Sequence, residues 1–199
     1  MTEALVQAAY SSRAAEYIAR FGDVESAHPA DRQLIAKWAG AVVGPVLDVG
    51  CGPGHWTKFL ADQGAVVEGI DVVPAFIEQA KDRFPGIPFR EASLTSLGAP
   101  AGAAAGILAW YSLIHLEPNE VPPVLQELAR SLGPGGDLLV GLFESPEIQR
   151  FPHAVTPAYS WPVKGVTKLL ESTGFGTVSI ERRTGTGHRP HAAISARLA

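Results

Sequence analysis

The chain has 199 residues, 46% of them hydrophobic and 18% charged, with a formal net charge of −4. That composition excludes a disordered chain. The acidic balance, with no run of Lys and Arg, argues against nucleic acid as the main partner, and the single cysteine, Cys51, rules out an internal disulfide and fits a reducing compartment.

In chain order, the opening MTEALVQAAYSSRAAEYIARFG lacks a basic-then-apolar leader pattern, so a cytoplasmic protein is expected. Residues 3–21 predict a pair of helical segments, and residues 29–40 a helix that opens on Pro29 and closes on Gly40. PVLDVG predicts a strand, residues 54–63 a helix, 65–71 a strand, 74–84 a helix stopped by Pro85, and 87–91 a short strand. Residues 92–116 carry no Asp, Glu, Lys or Arg and are long enough to cross a bilayer. Ser93, Thr95, Ser96, Gly98, Pro100, Gly102 and Gly106 interrupt them, so they read as a loop and then a strand at 104–111 buried on both faces, with no membrane role. Residues 120–132 predict a helix ended by GPGG, 137–143 a strand, 144–161 a loop, and 162–175 a helix. Strands at 177–183 and 192–198 flank TGTGHRPH.

Strand and helix alternate from residue 45 onwards, which implies an open α/β sheet, mostly parallel, with helices on both faces. The last two strands have no helix between them and must pair antiparallel. The expected organisation is one domain, with residues 1–41 as a helical cap and 42–199 as the core.

The stretch VLDVGCGPGHWT carries the chemistry. Gly50, Cys51, Gly52, Pro53 and Gly54 form a turn between a strand and a helix. Glycines let the backbone approach a ligand and adopt positive φ, and the helix aims free N–H groups at it. Asp71 follows Gly50 by twenty-one residues, at the end of the next strand, where an acid accepts ribose hydroxyls. His55 occupies the position where a dinucleotide turn needs its last glycine. Asp48, just before the turn, repels a pyrophosphate and suits an ammonium. A ligand with adenosine, a free ribose, an amino-acid tail and no phosphate is S-adenosylmethionine.

These residues resemble the first motif of the class I S-adenosylmethionine-dependent methyltransferases. EGIDVVPAFIEQAK resembles the second motif, GILAWYSLIHL the fourth-strand motif, and LARSLGPGGDLLV the entry to the fifth strand. The resemblance is to small-molecule members and covers about three quarters of the chain. It implies a Rossmann-like seven-stranded sheet of order 3-2-1-4-5-7-6 with strand 7 antiparallel, and S-adenosylmethionine as cofactor, leaving S-adenosylhomocysteine as product. It further implies cofactor contacts from Asp48, Gly50, Cys51, Gly52, Gly54, Trp56, Asp71, Val72 and Trp110. Where the family often carries an acid after the third strand, this chain has Ser93, which leaves backbone contact at Ser93 and Leu94 for the adenine.

The acceptor is expected at the carboxyl edge of the sheet, among loops that carry specificity. His115 is the candidate general base, because its pKa lies near neutrality and it follows the fourth strand; the alternative is that it bonds a loop carbonyl. Tyr10, Tyr17, Tyr111, His153 and Arg189 are candidate acceptor contacts, with His188 and His191 beside Arg189. Trp56 either meets the methionine tail or fills the core. Strand alternation sends Trp110 and Tyr111 to opposite faces, so at most one should reach the acceptor. Cys51 has no neighbour that would make it a nucleophile. The place after the fourth strand reads AWYS, not the D/N-P-P-Y/F/W of nucleic-acid amino methylation. The expected partner is a small-molecule methyl acceptor, with the chain a monomer or homodimer. A non-catalytic module that binds the same cofactor, and an NAD-dependent oxidoreductase, are the competing readings.

Overall fold

A computed structural model describes residues 3–185 and 188–199, and the burial of the His188 side chain lies outside that description. Two short helices, α1 (Glu3–Ser12) and α2 (Ala14–Phe21), precede α3 (Pro29–Ala39). The ring of His28 caps α3, its Nδ1 accepting from the Ala30 N–H at 3.1 Å. The sheet then builds through β1 (Val46–Val49), α4 (His55–Asp62), β2 (Val67–Asp71), α5 (Pro74–Arg83), β3 (Phe89–Glu91) and β4 (Ala104–Trp110). It continues through α6 (Val121–Ser131), β5 (Leu132–Glu144), β6 (Gln149–Phe151), β7 (Ala158–Trp161), α7 (Val163–Ser172), β8 (Phe175–Gly185) and β9 (His188–Leu198).

The principal strands lie in the order β3-β2-β1-β4-β5-β9-β8, with β9 antiparallel to both β5 and β8. This is the order the family resemblance implies, with the predicted terminal hairpin in place. The sheet has nine strands instead of seven, because the stretch expected to be a loop at 144–161 holds β6 and β7. β7 pairs with Phe143 and Glu144 of β5, and β6 folds back on β7. Their short lengths and the flanking Pro146, Pro152, Pro157 and Pro162 hide them from a periodicity reading.

Period-two alternation divides the sheet residues cleanly between two cores. Leu47, Ile107, Leu138, Val140 and Ile194 pack with α6 and α7 through Leu125, Leu128, Val166 and Leu170. Val46, Leu108, Leu139 and Ala193 face the other way, onto Ile35 and Trp38 of α3 and Trp56 and Leu60 of α4. Each fully buried aliphatic side chain contributes about 1.5–3 kcal/mol. The stripe of Ile35, Trp38 and Ala39 seats α3 on the sheet, so the cap expected over 1–41 is confined to α1 and α2. Those two helices lie over α5, with Tyr10, Ala14 and Tyr17 against Val73 and Phe76. The apolar stretch at 92–116 is a loop followed by β4, and no described helix is long and apolar enough to cross a membrane.

Candidate functional site

A cavity of about 950 Å³ opens at the carboxyl ends of β1, β2, β4 and β5, under α1 and α2. It lies near the upper end of the ~300–1,000 Å³ that small-molecule sites span. One half is built by the glycine turn and the acids beside it. Gly50, Gly52 and Gly54 have φ of 71°, 54° and 82°, all left-handed. Their reasons differ. A Cβ on Gly50 would meet the Cβ of Ser112 at 2.3 Å, and one on Gly54 would meet the ring of Phe89 at 2.8 Å. A Cβ on Gly52 would meet nothing nearer than the Tyr17 ring at 3.9 Å. Gly50 and Gly52 line the cavity, as does Cys51. Gly54 is not among its lining residues; it lets α4 start tight against β3.

Asp71 accepts from the Gly52 N–H at 2.8 Å and the Val73 N–H at 2.9 Å, one on each carboxylate oxygen. Burial still lifts its carboxyl to about 6, against the pull of those N–H groups. Asp48 accepts from the Thr57 hydroxyl at 2.7 Å and is lifted to about 7, mainly by burial and further by Asp71. Neither acid has a cationic partner among the described residues, and both line the cavity. A ligand that brings an ammonium and hydroxyl groups supplies what these carboxylates lack, and a pyrophosphate does not. The bare backbone at Gly52 leaves room for it. Cys51 is buried with its thiol pushed well up by desolvation and by Asp71 and Asp48, so it stays protonated. Trp56 packs in the core beside Leu60, as one of its readings has it, and also lines the cavity.

Val72 and Leu94 line the same half. Ser93 does not; its hydroxyl bonds Glu3 of α1 and lies 2.8 Å from that of Thr95. It therefore ties the cap down, and Ala92 and Leu94 present the loop to the cavity instead.

The other half is aromatic. His115 is buried, with Nδ1 2.9 Å from the Pro157 carbonyl and Nε2 2.7 Å from the Tyr10 hydroxyl. A carbonyl only accepts, so Nδ1 carries the proton and Nε2 accepts from Tyr10. Burial, with His153 nearby, lowers this imidazole to about 4, so it is neutral at pH 7. The loop-carbonyl bond expected as the alternative for His115 is thus present, and its remaining lone pair meets the Tyr10 hydroxyl on the cavity wall. Burial raises the phenol of Tyr10, and that of Tyr17 is pushed up to about 12.

Trp110 and Tyr111 both line the cavity, against the alternation argument. The strand ends at Trp110, and Tyr111 takes φ 57°, which turns its side chain out of the pleat. Its hydroxyl bonds His191 Nδ1, and its ring centroid lies 5.0 Å from that of Phe143. His153 lines this half, with Nδ1 buried and unpartnered. Arg189 does not line the cavity; its guanidinium sits 3.8 Å over the ring of Phe151. Arg183 lines it instead, paired through both guanidinium nitrogens with Asp31 of α3.

Residues 46–136 match the model of a family described as methyltransferase domain. This segment of the chain is similar to a methyltransferase domain. Among curated relatives, the chain is similar to trans-aconitate 2-methyltransferase of Methylobacterium nodulans, 35% identical over 133 residues that cover 64% of this chain and 48% of that protein. It is also similar to malonyl-[acyl-carrier protein] O-methyltransferase of Salmonella typhimurium, 31% identical over 109 residues, 55% of this chain and 42% of that one. The chain spans about half the length of the curated relatives it matches. Among solved structures, the 1,6-didemethyltoxoflavin-N1-methyltransferase of Burkholderia thailandensis superposes with a TM-score of 0.78 and 21% identity, covering 100% of this chain and 91% of that one.

The fold also places residues that sequence reasoning missed. Ser112, His55, Phe143, Asp31 and Arg183 all line the cavity. Asp31 and Arg183 lie 152 residues apart, and no local pattern announces their pairing. Phe143 carries the one available signal, as the residue near the carboxyl end of a buried parallel strand.

Proposed function

We propose that this chain binds S-adenosylmethionine and transfers its methyl group to a small organic acceptor. The observation that carries the reading is a pair of buried carboxylates, Asp48 and Asp71, without cationic partners, flanking the open backbone of Gly52 in one cavity. Asp71 would receive the ribose hydroxyls on the lone pairs its N–H bonds leave free, and Asp48 would face the amino end. The relatives' printed activities support the same class of reaction.

S-adenosylmethionine supplies a methyl carbon already activated by the sulfonium, with the C–S electron pair staying on sulfur as the acceptor's lone pair takes the carbon. The chain's own task is alignment and exclusion of water. The cap formed by α1 and α2 closes the cavity through Tyr10 and Tyr17, and Gln7 Nε2 ties it down by donating to the Val72 carbonyl at 2.7 Å. His115 is held as a neutral imidazole whose Nε2 accepts from the Tyr10 hydroxyl, so a proton from an O–H or N–H acceptor would reach it through Tyr10, which passes its own proton to Nε2 as it takes the acceptor's. A non-catalytic binding module would not need this second, aromatic half.

Calorimetric titration tests the reading. S-adenosylmethionine and S-adenosylhomocysteine should bind in the micromolar range and NAD should not. Asp71→Asn should weaken S-adenosylhomocysteine by about 10–100-fold, the worth of hydrogen bonds to a buried charge. Binding of NAD alone, or an affinity unmoved by Asp71→Asn, would overturn it.

A further inference from the structure

The half of the cavity beyond the cofactor residues has a chemistry of its own. Its walls are rings in mutual contact. Tyr111 lies 5.0 Å and His191 5.5 Å from Phe143, centroid to centroid, and His153 lies 5.2 Å from His115. Flat rings at such spacings present faces and edges to which another ring adds favourably.

Charge narrows the occupant further. The charged residues among the described lining are Glu3, Asp31, Asp48, Asp71 and Arg183. Arg183, the single cation of that set, is already held by both oxygens of Asp31. Arg189 is stacked on Phe151 away from the lining. His115 and His153 are both held toward the neutral form, chiefly by burial. A carboxylate entering here would lose its hydration and meet no uncommitted cationic side chain among the described lining residues, and a buried charge without a hydrogen-bonded partner is costly. Three lining residues carry a buried polar atom without a hydrogen bond, His55 Nδ1, Ser112 Oγ and His153 Nδ1. His153 is the one whose ring packs against His115 and Phe143, and its unmet nitrogen costs free energy until a ligand satisfies it.

We infer that the methyl acceptor is an uncharged, planar aromatic molecule. It seats among Tyr111, Phe143 and His153, with a ring nitrogen or oxygen substituent against His153 Nδ1. This rests on the proposed cofactor half, since it assigns only the space that half leaves.

The test is a calorimetric titration of the intact chain, first with S-adenosylhomocysteine, then with quinoline or with trans-aconitate, a tricarboxylate. Quinoline should bind the loaded protein and trans-aconitate should give no heat. Phe143→Ala should weaken quinoline about fivefold to tenfold, the order of one ring–ring contact. His153→Phe keeps the ring and removes the nitrogen; it should also weaken quinoline, with S-adenosylhomocysteine affinity unchanged. Binding of trans-aconitate, failure of quinoline, or indifference to both substitutions would overturn the inference while leaving the cofactor reading intact. Failure of S-adenosylhomocysteine to bind would overturn both.

Discussion

The two halves of the cavity are built in opposite ways. The half at β1 and β2 is made of backbone: two left-handed glycines, Gly50 and Gly52, N–H groups fixed on Asp71, and two acids whose pKa values burial raises. The half at β4 and β5 is made of side chains, drawn from positions as distant as Tyr10 and His191 and held by ring contacts. Burial acts on both, but on carboxylates it favours the proton and on imidazoles it removes one. The result is a pair of carboxylates for a ligand's cation on one side and neutral imidazoles for an uncharged ring on the other. A rigid backbone half suits a ligand that never changes. A half made of side chains can be altered by single substitutions without disturbing the turn.

The largest effect that would break this contrast lies in the glycines. Gly50→Ala drives a methyl into Ser112 at a position that also requires positive φ. Overpacking of about 1–3 kcal/mol and left-handed strain of about 1–2 kcal/mol should add, lowering the thermal midpoint sharply. Gly52→Ala carries the strain without the collision, since its Cβ would enter open cavity. It should be destabilised only by the strain of about 1–2 kcal/mol, less than Gly50→Ala, and should lose S-adenosylhomocysteine binding. Equal stability of the two variants in thermal denaturation would contradict the division between a packing glycine and a ligand-facing one.

A smaller effect sharpens the acid side. With its carboxyl raised to about 7, Asp48 is mostly ionised at pH 7.5 and mostly protonated at pH 5.5. The amino group of S-adenosylhomocysteine remains cationic across that window. The affinity for it should therefore fall as pH falls through 7, by about tenfold at pH 5.5. Asp71, raised to about 6, adds in the same direction. Asp48→Asn should flatten most of the dependence; a profile unchanged by that substitution would remove Asp48 from the ammonium.

The backbone half was legible in the sequence because its parts are contiguous. One strand, one turn and the end of the next strand supply Asp48, Gly50, Gly52 and Asp71, and each residue type has few reasons to stand where it does. The same holds for the sheet order, where alternation of strand and helix and the terminal hairpin leave little freedom. The other half was legible only in fragments. The shared placement of Trp110 and Tyr111 escaped because the strand stops one residue earlier than alternation assumes, and a positive φ redirects Tyr111. Arg183 and Asp31 meet only in the fold, and β6 and β7 are too short and proline-flanked to show a period. Ser93 and Arg189 looked suited to a ligand by type, and the fold spends them on a tie to the cap and a stack on Phe151.

The most direct measurement is a crystal structure of the chain with S-adenosylhomocysteine bound. The ribose hydroxyls should lie on Asp71 and the amino group toward Asp48, with the thioether sulfur facing Tyr111, His115 and Phe143 across space left for the acceptor. S-adenosylhomocysteine lying among Tyr111, Phe143 and His153, with its ribose away from Asp71, would contradict the division of the cavity and the role given to His115.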